Sequence, residues 1–345
     1  MSAKPPPGLP DPTPIFQLAT GYWASATLLA ANDLGLFRIL AATPTGATIE
    51  EVAAALAADP RGTELLLQAC GGLGLVRLTA DKFALTPVAA AYLVPGQPGY
   101  LGSALRWSRD QYAAWGQLAA ATRTGKPAVD PAAHLGDDPA QTRAFVLGMH
   151  ERAQGVARGV VPFIDLRGCH SLLDVGGGPG TYAVLLAQQY PQLHVTVLDL
   201  DAIIAVAQDR VEHDLAAQPA LLERLQFQPG DATSGEYGGE HYDAVLFSGV
   251  LHQMNPATCQ LMLDGAHRAL KPHQRVFISD LMLDAGKTQP VFAALFSLQM
   301  LLTTDDGAVF SVPECEQWLR TAQFTDLQAR PLPPPLPYTV ISAQK

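Results

Sequence analysis

The sequence predicts an α/β protein with a doubly wound, seven-stranded sheet whose last strand runs antiparallel, preceded by a mainly helical first half. Three observations carry that reading. From residue 170 onward, short apolar runs alternate with segments of helical spacing, the pattern of parallel strands joined by crossover helices. The first of those runs ends in a glycine cluster, "LLDVGGGPGTYAVLLAQQYP", residues 172–191. The last two runs are joined by "PLPPPLP" alone, which is too short to hold a helix and so makes a hairpin.

Composition excludes several classes of function. A chain of 345 residues holds one large domain or two ordinary ones, with ample core. Nearly half of it is hydrophobic, which rules out a disordered polymer. The 32 acidic residues outnumber the 22 basic ones, for a net charge of -10, and a nucleic-acid backbone binder needs a basic face. Cys70, Cys169, Cys259 and Cys315 have neither CxxC nor Cys/His spacing, so buried thiols in a reducing compartment are expected and a metal site is not. The proline-rich start "MSAKPPPGLPDPTP" lacks the apolar core of a secretion signal, and no apolar stretch reaches membrane-spanning length. The expectation is a soluble cytoplasmic protein that binds neither membrane nor nucleic acid.

Along the chain, residues 1–13 read as a flexible arm and 14–97 as a helical module. Residues 14–42 carry Ile15, Leu18, Tyr22, Leu28, Leu29, Leu34 and Phe37 at helical spacing. Thr48 with Glu51 forms a capping box, a turn at Asp59-Pro60 opens a second helix, and that helix stops at Gly71-Gly72. Two short strands, "LVRLT" and "KFALT", follow around Ala80-Asp81. Helix, turn, helix and hairpin make a winged-helix order. The segment that would read DNA, "RGTELLLQACGGL", is mostly apolar, whereas groove readout needs polar and basic groups, so packing or dimerisation is the preferred use. Residues 98–165 read as further helices, and 166–345 as the sheet domain. Strands are expected at 172–175, 195–199, 225–229, 243–247, 275–280, 324–330 and 338–342.

The glycine turn is where a nucleotide cofactor would lie. A dinucleotide fold wants G-x-G-x-x-G. Here the glycines stand at Gly176, Gly178 and Gly180, and the third dinucleotide position is Thr181. Asp174, at the tip of the first strand, would repel a diphosphate and attract a ligand carrying an ammonium and a sulfonium, such as S-adenosylmethionine. The second strand ends in Asp199, followed by Leu200, where a carboxylate can accept both ribose hydroxyl hydrogens. After the third strand, Asp231, between Gly230 and Ala232, can reach an adenine amino group. Each acid has a plainer use: Asp199 or Asp201 can cap the next helix, and Asp231 can make a turn.

With these stretches in view, "LLDVGGGPGTYAVLLAQQYP…VTVLDLDAIIAVA…FQPGDA" resembles the cofactor site of class I methyltransferases, which use a Rossmann-like sheet. Together with the winged-helix half and "VLFSGVLHQMNPATCQLMLDGAHRALKPHQRVFISDLML", the chain resembles the plant caffeate-type and bacterial polyketide-tailoring O-methyltransferases over about residues 15–345. That resemblance implies S-adenosylmethionine as cofactor, with Ser248 and Gly249 near its methionine end. It also implies a homodimer formed through the N-terminal half. "LHQMNPATC" matches the family's catalytic "LHDWxDxxC", which makes His252 the expected general base for a hydroxyl.

Departures from the family pattern bear on that base. Gln253 and Met254 replace its Asp and Trp. Asp280 takes the place of a glutamate that orients the histidine and is one methylene shorter, so a weaker or water-bridged contact is expected. A second family glutamate falls at Val309. Trp107, Tyr112, Trp115, Phe145, Met149, Phe296 and Met300 are candidates to wall a small aromatic substrate, and each alone could equally be core. His150 is either a polar group of that pocket or a solvated helix residue. The leading expectation is O-methylation of a small aromatic natural product. Alternatives are C- or N-methylation, a non-methylating tailoring step on the same fold, and a winged-helix regulator that senses the cofactor.

Overall fold

In a computed structural model of the chain, the residues described are 9–132, 138–334 and 336–345. The chain divides into two compact units after Asp110. The first contains α1 (Thr13–Asp33), α2 (Leu36–Ala41), α3 (Ile49–Leu56), α4 (Pro60–Gly72), the hairpin β1 (Val76–Thr79) and β2 (Lys82–Leu85), α5 (Pro87–Tyr92) and the start of α6 (Gly102–Trp115). Local signals set the boundaries. Thr48 and Glu51 exchange the two hydrogen bonds of a capping box at α3. Asp59 accepts from Gly62 N at 2.8 Å to start α4. Leu36, Phe37, Leu40, Val52, Leu67 and Phe83 form the core. The outer face of α1 is apolar and open, with Leu18 79% and Trp23 60% exposed.

The second unit continues with α7 (Leu118–Thr124), α8 (Pro139–Val160), β3 (Ser171–Val175), α9 (Thr181–Gln189), β4 (His194–Asp199), α10 (Asp201–Asp214), α11 (Pro219–Leu222) and β5 (Leu225–Pro229). After these come β6 (Tyr242–Ser248), α12 (Pro256–Ala269), β7 (Leu270–Leu281), α13 (Val291–Thr303), α14 (Val312–Thr321), β8 (Thr325–Pro331) and β9 (Tyr338–Gln344). The strands order as β5-β4-β3-β6-β7-β9-β8. β3 pairs in parallel with β4 and β6, and β9 runs antiparallel between β7 and β8. This is the expected doubly wound, seven-stranded sheet. Apolar clusters cover both faces, which explains why the inner strands read as near-continuous hydrophobic runs.

Two details differ from the sequence reading. β7 starts at Leu270 and not near 275, because Leu270 pairs with Tyr242 ahead of a register shift. The intervening Lys271–Gln274 is polar and carries no strand signal. Neither Asp199 nor Asp201 caps α10, whose N-cap is Leu200 without a side-chain bond. The chain leaves β3 toward β4 on one side and returns to β6 on the other. A crevice for a ligand therefore opens at the carboxyl ends of these three strands.

Candidate active site

The glycine turn closes over two acids. Gly176 and Gly178 adopt φ of 66° and 53°, the left-handed region that favours glycine. A Cβ on Gly176 would lie 2.6 Å from Val250 Cγ2, so the turn also needs the missing side chain. Beneath it, Asp174 is fully buried and neither carboxylate oxygen has a hydrogen-bond partner among the described residues. Burial, and then the neighbouring Asp199, raise its pKa to about 7. Asp174 thus lies under the turn and not on the open wall of the crevice, so its field reaches a ligand through the loop. Asp199 accepts from Gly178 N through Oδ2 and from Leu200 N through Oδ1, each at 2.8 Å. Burial raises its pKa against those two bonds.

The third acid makes a turn. Asp231 Oδ1 accepts from both the amide and the hydroxyl of Thr233 and opens a short 3-10 turn, Ala232–Ser234. Gly230 N donates to Asp199 O at 2.9 Å, which ties the ends of β4 and β5 together. Leu200 is exposed beside them and Ala232 is buried. Buried Asp174, which has no donor, and half-buried Asp199 beside it suit a cationic ligand and oppose a diphosphate. Each Asp199 oxygen has accepted one backbone bond and keeps a lone pair for a hydroxyl. The residues present therefore fit S-adenosylmethionine.

The second half of the site stands on β6 and β7. Ser248 ends β6, and Gly249, at φ 66°, donates to Ser279 O at 2.9 Å. The chain then makes a 3-10 turn, Leu251–Gln253, that carries His252. His252 Nδ1 lies 2.7 Å from Asp280 Oδ1, and Asp280 is buried. Asp280 Oδ1 also accepts from Leu281 N at 2.8 Å, which fixes the carboxylate. A carboxylate accepts, so Nδ1 donates, and in the neutral tautomer this selects the lone pair is on Nε2. The contact expected to be weaker or water-bridged is direct. Phe296 meets the imidazole edge to face, with centroids 5.1 Å apart. Phe292, which the sequence did not single out, stacks on Phe296 at 6.3 Å. Val309 is buried with Leu281, Leu283 and Ala293, so an apolar cluster fills the place of the family's second acid.

The expected wall residues stand on α6, α8 and α13. Trp115 Nε1 donates to Gln299 Oε1 at 2.6 Å, and Gln299 Nε2 donates to Gln111 Oε1 at 3.0 Å, which joins α6 to α13. Met300 is buried on α13. Tyr112 is 40% exposed. Phe145 and Met149 are half-buried on α8. The Trp107 side chain lies outside the described residues. His150, for which the sequence left two uses open, is half-buried on α8 and hydrogen-bonded. Its Nδ1 lies 2.8 Å from Thr181 Oγ1 at the start of α9, and its Nε2 faces Gln154 and Arg210. Arg210 was missed, although it falls in phase with the buried Ile203, Ile204 and Ala207 on α10.

Comparison with known proteins agrees with this geometry. Residues 115–325 match the O-methyltransferase domain family, and residues 16–95 match the O-methyltransferase dimerisation domain. The 3-hydroxy-5-methyl-1-naphthoate 3-O-methyltransferase of Streptomyces sahachiroi is 34% identical over 94% of this chain and 92% of its own. The tetracenomycin polyketide synthesis 8-O-methyl transferase of Streptomyces glaucescens is 29% identical over 92% of each. Human N-acetylserotonin methyltransferase, solved in complex with S-adenosylmethionine, superposes with a TM-score of 0.86 at 27% identity and covers 99% of both chains. With a sheet of this order, acids of this kind under its glycine turn and relatives along its whole length, the chain belongs to the O-methyltransferase family and is an S-adenosylmethionine-dependent O-methyltransferase.

Proposed function

We propose that the acceptor is a phenolic hydroxyl of a small aromatic natural product, and that His252 removes its proton while Asp280 holds the imidazole. The observation that carries this reading is the 2.7 Å contact between His252 Nδ1 and Asp280 Oδ1. It turns Nδ1 to the carboxylate and leaves Nε2 as the ring nitrogen that can take up a proton. A phenol has a pKa of about 10 and is mostly neutral at pH 7, so a positioned base helps it attack. When bound, S-adenosylmethionine supplies an activated methyl group on a cationic sulfur. The protein's part is to orient the acceptor, accept its proton at His252 Nε2 and stabilise the resulting imidazolium with Asp280.

Under this proposal Asp174, Gly176, Gly178, Gly180, Asp199, Leu200, Gly230, Asp231, Ala232, Ser248 and Gly249 surround the cofactor. Asp199 takes the ribose hydroxyls. Phe296, with Phe292 stacked on it, gives an aromatic acceptor a face beside the base. Trp115, Met300, Tyr112, Phe145 and Met149 extend that apolar wall. The naphthoate and tetracenomycin relatives support a fused aromatic acceptor of secondary metabolism. The test is incubation with methyl-labelled cofactor and a panel of naphthols and anthracyclic phenols, with the label located by mass spectrometry and NMR. Label on carbon or nitrogen, and none on oxygen, would overturn the acceptor assignment.

The same proposal takes the working form as a homodimer in the cytoplasm. The dimerisation domain and the open apolar face of α1 support the first part. Four free, buried cysteines support the second. Among the described residues no helix is long and apolar enough to cross a membrane.

A further inference from the structure

We propose that Arg210 and His150, outside the catalytic pair, are positioning residues that latch the glycine turn into its cofactor-holding shape. The starting observation is a cost. Arg210 is buried on α10, its Nε has no hydrogen-bond partner among the described residues, and burial pulls its pKa down. A buried guanidinium is retained only where its remaining donors are used. Its Nη1 pairs with Asp214 at 2.6 Å, one turn along the same helix. Its Nη2 donates to the carbonyl of Pro179 at 2.7 Å, inside the glycine turn itself.

His150, on α8, takes hold of the next residues. Its Nε2 faces two donors, Gln154 Nε2 at 2.6 Å and Arg210 Nη1 at 3.3 Å, so Nε2 accepts. The ring hydrogen therefore sits on Nδ1 and is donated to Thr181 Oγ1 at 2.8 Å. Burial and the Arg210 cation push the His150 pKa down to about 4, which keeps the ring neutral and this arrangement intact near neutral pH.

The turn needs such an external hold. α9 starts from Gly180, at φ 72°, which has no side chain to cap the helix, and Pro179 has no backbone N–H to give. Gly180 N closes the turn on Gly177 O at 3.0 Å, but no side chain caps the start of the helix, so the Pro179 carbonyl and the Thr181 hydroxyl are left to outside partners. Arg210 on the carbonyl and His150 on the hydroxyl fix it from two neighbouring helices. One residue pair back, Gly178 N donates to Asp199, so a change of that angle shifts the carboxylate assigned to the ribose. The latch thus couples α8 and α10 to cofactor affinity without touching the acceptor.

The test compares Thr181→Val, Thr181→Ser, Arg210→Met and Arg210→Lys by calorimetric binding of S-adenosylhomocysteine, thermal unfolding and steady-state kinetics. Thr181→Val, which keeps the volume and removes the hydroxyl, is expected to weaken binding about tenfold while unfolding stays cooperative. Thr181→Ser keeps the hydroxyl and is expected to bind within twofold of the parent. Arg210→Met is expected to lose more than Arg210→Lys. In each folded variant the KM for cofactor rises in step with the binding loss, and kcat at saturating cofactor stays within about threefold. Binding within twofold of the parent in Thr181→Val, or an equal loss in the Val and Ser variants, overturns the proposal. If Arg210→Met does not fold, the Thr181 pair still decides.

Discussion

His252 and Asp280 stand at the ends of the neighbouring strands β6 and β7, and the register Ser248 with Ser279 brings Nδ1 to 2.7 Å from Oδ1. The shorter acid reaches the ring because the strand register, and not side-chain length alone, sets the separation. Asp280 carries a second bond, from Leu281 N, that stops it from swinging away. Asp280→Ala is therefore expected to lower kcat about 10- to 100-fold by freeing the imidazole, with cofactor binding kept. Steady-state kinetics and calorimetry on the same variant check this, and an unchanged kcat would contradict it.

Adding the family's second acid is expected to fail. Val309 is 3% exposed and sits in an apolar cluster with Leu281, Leu283 and Ala293. Val309→Glu would bury a carboxylate there without a donor, at a cost of at least about 2 kcal/mol in stability. Urea denaturation measures that cost. A variant as stable as the parent and faster in turnover would contradict the packing described.

The buried acid beneath the glycine turn makes stability depend on pH. Asp174 stands well above its ordinary 3.8, at about 7, because burial and Asp199 disfavour its charge. Between these values the folded protein binds a proton that the unfolded chain has lost. The stability from that proton is complete below about pH 4 and is lost as pH rises through about 7, a change on the order of 4 kcal/mol. Asp174→Asn is expected to flatten this decline in cofactor-free protein. Denaturation at pH 5 and pH 8 is the check, and an equal decline in variant and parent would refute it.

Substitution in the turn acts on both fold and ligand. Gly176→Ala places a side chain at φ 66° and 2.6 Å from Val250 Cγ2. A loss of about 1–3 kcal/mol in stability is expected, with weaker uptake of S-adenosylhomocysteine. Thermal unfolding and calorimetry read the two effects separately.

The open face of α1 predicts a defect in assembly. Leu18→Asp with Trp23→Asp puts charge on side chains that are 79% and 60% exposed, so the single chain keeps its fold. Sedimentation velocity is expected to show a dimer for the parent and a monomer for the variant. An unchanged dimer would move the interface elsewhere.

Much of this is legible in the sequence. Strands β3 and β6 announce themselves because helices cover both faces of the sheet there and force apolar runs. The glycines and Asp199 were legible because the turn and the strand tip demand those residue types. Contacts across long separations were not. Arg210 meets Pro179 and His150 across 31 and 60 residues, and Trp115 meets Gln299 across 184. Only the packing of helices around the sheet joins such pairs. The burial of Asp174 was not legible for a related reason, since a position at the strand tip does not tell whether the loop folds over it. Asp231 bonds Thr233 in a local turn, a use the short "PGDAT" stretch permits but does not select.

Turnover by His252→Ala, measured at saturating cofactor with a methylated naphthol as product, tests the central claim most directly. The account predicts a fall in kcat of about 10²- to 10⁴-fold, with S-adenosylhomocysteine bound as tightly as by the parent. Turnover close to that of the parent, in a variant that still binds S-adenosylhomocysteine, would contradict it.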